Sequence, residues 1–94
     1  MSLSADAAET LALQALAWLM TQDELVPVFL GSTGASEADL RARAGEADFL
    51  GSVLDFLLMD DAWVIAFCDS AEIPYDRVMP ARAALPGGAQ THWT

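Results

Sequence analysis

Apolar residues recur at spacings of three and four along nearly the whole chain, and capping residues, glycines or prolines interrupt them at short intervals. Leucine and alanine dominate these positions while valine and isoleucine are scarce, a bias that favours helices. The pattern predicts helices over residues 4–20, 21–30, 36–44, 47–59, 61–71 and 80–85. It therefore predicts an all-α fold, a compact orthogonal bundle of five or six short helices, because short helices with different caps do not suit a long parallel bundle.

The helix starts are predicted from capping residues. Ser4 and Ser36 precede apolar-periodic segments, and Thr21 followed by Glu24 has the spacing of a capping box. Residues 31–34, Gly-Ser-Thr-Gly, are expected to form a plain interhelix loop, since they have neither the lysine nor the preceding strand of a phosphate-binding loop. For the last helix, Pro80 is expected at the first position.

An acidic pair, Asp60 and Asp61, lies between the two most apolar segments of the chain. In one continuous helix both carboxylates would lie on the apolar stripe, and burying them unpaired would cost several kcal/mol. The favoured interpretation is that the helix breaks and Asp60 caps the next one. The alternative is an acidic metal- or ligand-binding site, in an enzyme or a binding domain, where Asp55 and Asp69 join the pair around a hard cation. The two segments are expected to form the hydrophobic centre, with the first helix packed across them.

The end of the chain predicts a domain boundary, with a helical domain over residues 1–85 and a tail over 86–94 that begins with Pro-Gly-Gly. The tail carries His92 and Trp93. Trp93 either folds back into a groove between helices or anchors a partner, since tryptophan is enriched among the residues that dominate binding energy.

Composition narrows the function classes. The chain has 94 residues, 54% of them apolar, and a net charge of −10 from fourteen acids and four arginines. Such a chain repels phosphate, so no nucleic-acid partner is expected, and the dispersed acids do not favour a nucleic-acid mimic. Charges interrupt every long apolar run and no signal peptide is recognisable, so we expect a soluble cytoplasmic protein without a membrane partner.

Few residues carry recognisable chemistry, and no cofactor is expected. Cys68 lies among apolar residues and is interpreted as a buried structural thiol. The arginines Arg41, Arg43, Arg77 and Arg82 are expected to form internal ion pairs, and the alternative is a positive notch that holds a carboxylate or phosphate.

Three segments carry a family resemblance: residues 53–68 (VLDFLLMDDAWVIAFC), the ending 81–88 (ARAALPGG) with 92–94 (HWT), and the opening 12–19 (ALQALAWL). Together they resemble the DUF3572 family of small alphaproteobacterial proteins of unknown function. The resemblance implies a bacterial cytoplasmic setting and transfers no catalytic or binding residue.

The function predicted from these observations is a non-enzymatic protein-interaction domain. A high apolar fraction in a small chain leaves apolar surface for a partner or a second copy to cover. The candidate interaction residues are Trp93, His92, Arg82 and Arg77.

Overall fold

Six α-helices and one 3₁₀ turn follow one another in the computed structural model, which describes residues 3–86. The helices are α1 (Ala5–Met20), α2 (Val26–Thr33), α3 (Glu37–Arg43), α4 (Ala47–Leu57), α5 (Asp61–Ala71) and α6 (Val78–Ala83), with the 3₁₀ turn (Tyr75–Arg77) between α5 and α6. Residues 3–86 contain no strand, and the predicted all-α fold is confirmed. In this part of the chain no helix has the length and apolar character needed to cross a membrane.

Three of the predicted N-caps are confirmed. The Ser4 hydroxyl accepts a hydrogen bond from the Ala7 amide, and the Asp60 carboxylate accepts one from the Ala62 amide. Ser36 and Asp39 form a reciprocal capping box at the start of α3. Each cap satisfies an amide that has no partner inside its helix, so these starts are determined locally.

The predicted start of α2 is wrong. Thr21 is the C-cap of α1, and its hydroxyl donates to the Trp18 carbonyl oxygen at 2.6 Å instead of capping α2. The helix begins at Val26, so Pro27 stands at its second position. There the missing proline N–H removes no helical hydrogen bond, whereas an earlier start would have placed Pro27 deeper in the helix.

The predicted loop over residues 31–34 is also wrong, because α2 continues through Thr33. It ends at Gly34, whose φ of 73° lies in the left-handed region and whose amide donates to the Leu30 carbonyl oxygen at 2.8 Å. A helix tolerates one internal glycine at a cost of about 1 kcal/mol, but its left-handed end favours one. Gly34, rather than Gly31, therefore terminates the helix.

The predicted start of the final helix is also wrong. The chain passes from Pro74 into the 3₁₀ turn, and α6 begins at Val78. Pro80 is thus its third residue, not its first. The first turn of a helix has unbonded amides, so a proline at this position costs no helical hydrogen bond either.

The core is built around α4, which packs chiefly against α1, while α6 packs against both. Seven residues of α4 are buried: Phe49, Leu50, Gly51, Val53, Leu54, Phe56 and Leu57. The prediction that α4 and α5 together form the hydrophobic centre holds only for α4, since α5 buries only Phe67 and Cys68. Buried Val78, Ala81 and Leu85 close the core from α6 and the residues after it.

A run of aromatic rings crosses this core. The Phe29 ring makes edge contacts with Phe49 and Phe56, with ring centroids 6.2 and 5.2 Å apart. Phe56 then stacks on Trp63 at 4.8 Å, and Trp18 contacts Phe67 at 6.0 Å. These contacts tie α2, α4, α5 and α1 together and hold the rings of Trp18 and Trp63 in place.

Candidate interaction surface

The four aspartates of the alternative acidic site have separate roles in the structure. The Asp60 side chain is occupied as the cap of α5, and Asp61 lies in the first turn of that helix. Asp69 accepts a hydrogen bond from the Tyr75 hydroxyl at 2.5 Å, and Asp55 is bound to Arg82. Residues 3–86 contain no group of three or more His, Cys, Asp or Glu side chains that could hold a metal ion.

Arg82 forms the joint between α4 and α6. Its Nε and Nη2 donate to the two carboxylate oxygens of Asp55 at 2.5 and 2.9 Å, and its Nη1 donates to the Pro86 carbonyl oxygen at 3.0 Å. The side chain is 11% exposed, while that of Asp55 is 49% exposed. Such a two-pronged contact is the strong form of a charged hydrogen bond, and three of the five N–H groups of this arginine are bound within its own chain.

Gly51 makes room for that joint. A Cβ at this position would lie 2.7 Å from Arg82 Nη1 and 3.1 Å from the Pro86 oxygen. Gly51 and Asp55 are one helical turn apart on α4 and therefore lie on the same side of the helix. Gly51 leaves space for the Arg82 guanidinium, and the Asp55 carboxylate binds it. The spacing of four between Gly51 and Asp55 can be read from the sequence, but nothing in the sequence indicates that these two residues meet Arg82.

Arg43 and Arg77 lie elsewhere on the surface. Arg43 donates to Glu46 at 3.0 Å and lies 5.0 Å from the centre of the Phe49 ring, and the hydrogen bond to Glu46 raises its pKa. Arg77 lines two open grooves between the start of α1 and the segment after α5. Of the predicted interaction residues, Arg77 is therefore exposed and Arg82 is engaged, while His92 and Trp93 lie outside the described residues.

Cys68 is a buried thiol, as predicted, with 1% of its surface exposed. Burial raises its pKa, and the charge of Asp69 adds to the shift. The reactive form of cysteine is the thiolate, so both effects make Cys68 a poor nucleophile.

Sequence reasoning missed a groove between the end of α1 and the first half of α5, which we call the tryptophan groove. It encloses about 460 Å³ and is lined by Trp18, Thr21, Gln22, Asp23, Glu24, Leu25, Trp63 and Ala66. Its apolar wall consists of two tryptophan rings, a leucine and an alanine, and its edge carries two exposed acids. Trp18 and Trp63 both fit the apolar pattern of their helices, and only the packing shows that each is left partly exposed.

A second groove adjoins it along the start of α2, and we call it the α2 groove. It encloses about 340 Å³ and is lined by Met20, Asp23, Val26, Pro27, Leu30 and Glu37. Asp23 belongs to both grooves. Neither is lined by an arginine, whereas Arg43 and Arg77 line other grooves of the described surface.

Residues 3–86 thus define a small all-α bundle with open grooves that combine apolar side chains with exposed acids. The chain belongs to the DUF3572 family, which is described as a protein of unknown function, and the family model matches residues 5–88. No curated protein and no solved structure matches the chain.

Proposed function

We propose that this chain is a non-enzymatic protein-interaction domain of the bacterial cytoplasm. The observation that carries the proposal is the exposure of large apolar side chains on the described surface: Leu13, Met20, Val28, Met59, Ile65, Tyr75 and Met79. The two methionines Met59 and Met79 are each 70% exposed. Methionine is a flexible, polarisable side chain that is common on binding surfaces, so its exposure supports a surface that a partner covers.

The Trp93 tail is proposed as a second contact with the partner. Arg82 would act indirectly, because its bond to the Pro86 carbonyl holds the chain against α4 just before Gly87 and the rest of the tail. Arg77 would contact a carboxylate of the partner from its exposed position. Tryptophan is enriched among the residues that dominate binding energy, so Trp93 is the tail residue expected to contribute most.

The test is affinity capture from the source cells with the tagged full chain, combined with sedimentation of the purified protein. Three variants each replace one exposed side chain, namely Met59→Ser, Ile65→Ser and Met79→Ser. A fourth, Trp93→Ala, alters the tail, and Ser70→Ala is the matched control. We expect the full chain to retain a partner in fixed stoichiometry, or to self-associate. At least one variant should lose about tenfold in binding, near 1.4 kcal/mol, without a change in melting temperature.

A full chain that sediments as a monomer and enriches no protein over bare resin would contradict the interaction function. Capture that is identical for Trp93→Ala and the full chain would remove the tail from the interface and leave the helical surface as the binding site.

A further inference from the structure

We propose that the tryptophan groove and the α2 groove form one docking surface for a cationic amphipathic segment of another protein, an inference that rests on the interaction function proposed above. The two grooves share Asp23, which lies in the turn between α1 and α2, so one bound segment can contact both. The occupant is defined by the chemistry of the lining.

The aromatic wall is held in position before any partner binds. Trp63 stacks on buried Phe56 at 4.8 Å, and Trp18 packs on buried Phe67 at 6.0 Å. A ring fixed by the core loses little freedom when a partner covers its outer side. Two fixed tryptophans in a groove therefore offer apolar contact at a low entropic cost, as expected at the centre of an interface.

The charges around this wall are all of one sign. Asp23 and Glu24 edge the tryptophan groove, Glu37 lines the α2 groove, and all three are exposed. No arginine lines either groove, so these acids are not neutralised within the lining. A lysine or arginine of the occupant would pair with them and stack on a tryptophan face, while its aliphatic or aromatic neighbours fill the apolar floor.

A second copy of this chain is a poor occupant. The net charge of −10 and the absence of lysine mean that two copies would bring acids against acids. The segment after Pro86 is also unsuited, because residues 87–94 contain neither lysine nor arginine. Charge complementarity therefore assigns the surface to a basic segment of a different protein.

The experiment uses the full chain with Trp93→Phe, so that emission comes from Trp18 and Trp63 alone. The probe is a labelled 14-residue synthetic peptide with leucine and lysine at helical spacing, compared with the same peptide carrying glutamate for lysine and with one carrying serine for leucine. We expect saturable binding of the leucine–lysine peptide, with a change in tryptophan emission, and weak binding of both control peptides. Added salt should weaken binding, because exposed charges are screened.

Two pairs of variants locate the site. Asp23→Asn with Glu24→Gln should raise Kd about tenfold, whereas Asp6→Asn with Asp48→Asn removes the same charge elsewhere and should leave Kd within about twofold. Ala66→Arg fills the tryptophan groove and should abolish binding. Ser70→Arg adds the same charge on the same helix outside the lining and should not.

Equal weakening by both acid pairs would show diffuse attraction to an acidic protein and overturn the proposal. Equal binding of the lysine and glutamate peptides, or binding without a change in tryptophan emission, would also overturn it. If a natural partner from the capture experiment is retained by Asp23→Asn with Glu24→Gln and by Ala66→Arg, this docking surface is rejected while the interaction function stands. If no form captures a partner or self-associates, the interaction function itself fails.

Discussion

Helices α4 and α5 have the same length, eleven residues each, and both are strongly apolar, yet they have opposite positions in the fold. Seven residues of α4 are buried, against two of α5. On α4 the apolar residues gather on a broad face with Asp55 opposite, whereas on α5 they spread round the helix and leave Ile65 46% exposed.

The difference between α4 and α5 shows that an apolar helix is not necessarily a buried one. A helix that is apolar on most sides is expected at the centre of a bundle or in a partner interface. In this protein the centre is taken by α4, with α1 and α6 packed on it, and α5 lies at the edge with its outer face uncovered. From α5, the half-buried Trp63 and the exposed Ala66 line the tryptophan groove.

The largest expected effect is a difference between the two helices in the cost of truncation. Leu54 on α4 is fully buried, so Leu54→Ala should lower the free energy of unfolding by about 2–5 kcal/mol. Ile65→Ala on α5 should cost less than about 1 kcal/mol, since the side chain is half exposed. Urea unfolding measures both, and equal costs would contradict a peripheral α5.

At the joint between α4 and α6, the effect of Gly51→Ala on the free energy of unfolding should change sign when Arg82 is removed. Arg82→Ala removes three hydrogen bonds but leaves Asp55 half exposed to water, so it should cost about 1–2 kcal/mol. Gly51→Ala alone should destabilise by about 1 kcal/mol, because its Cβ would displace the guanidinium. In the Arg82→Ala background the same change should be neutral or stabilise by up to about 1 kcal/mol, since alanine favours a helix.

A double-mutant cycle from urea unfolding of the four proteins measures this coupling. Additive effects of Gly51→Ala and Arg82→Ala would show that the glycine does not serve the arginine.

The two helices also differ at their starts. Asp60 caps α5 with its side chain, whereas Glu46 at the start of α4 makes no capping hydrogen bond. Asp60→Ala should cost about 1 kcal/mol, and Asp60→Asn should retain most of the stability, because an amide oxygen can still cap. Loss of stability that is equal for Asn and Ala would indicate that the charge of Asp60, not its cap, matters.

The smallest expected effect concerns alkaline pH and the outer end of α5. The hydrogen bond to Asp69 raises the pKa of Tyr75, with burial adding to it, so the folded state favours the protonated phenol. This contribution is complete below the ordinary tyrosine pKa of about 10 and is lost as pH rises through the folded value. The difference in urea midpoint between the natural chain and Tyr75→Phe should therefore shrink above about pH 10. The raised pKa of Cys68 also makes stability fall at alkaline pH, but both proteins contain Cys68, so its effect cancels in the comparison. A difference in urea midpoint that stays constant with pH would contradict the role of Tyr75.

Much of the fold could be predicted from the sequence because helix ends are local. Ser4, Ser36 and Asp60 each act within three residues of themselves, and the start of α5 follows from its cap. The errors at Thr21 and Gly31 arose where two local signals competed and a proline or a second glycine decided between them. The candidate surface was harder to predict, since Trp18 and Trp63 are 45 positions apart in the numbering and meet at one groove only through packing.

The sequence by itself determined the helical class, most helix boundaries, the separation of α4 from α5 at Asp60, and the burial of Cys68. These properties depend on spacing and on contacts between near neighbours. Only the tertiary structure decided which apolar helix is central, that Arg82 meets Asp55 over Gly51, and which side of each tryptophan stays exposed. These features depend on helix packing. Burial stabilises an apolar side chain against any suitable surface, so the sequence alone does not indicate which surface it will contact.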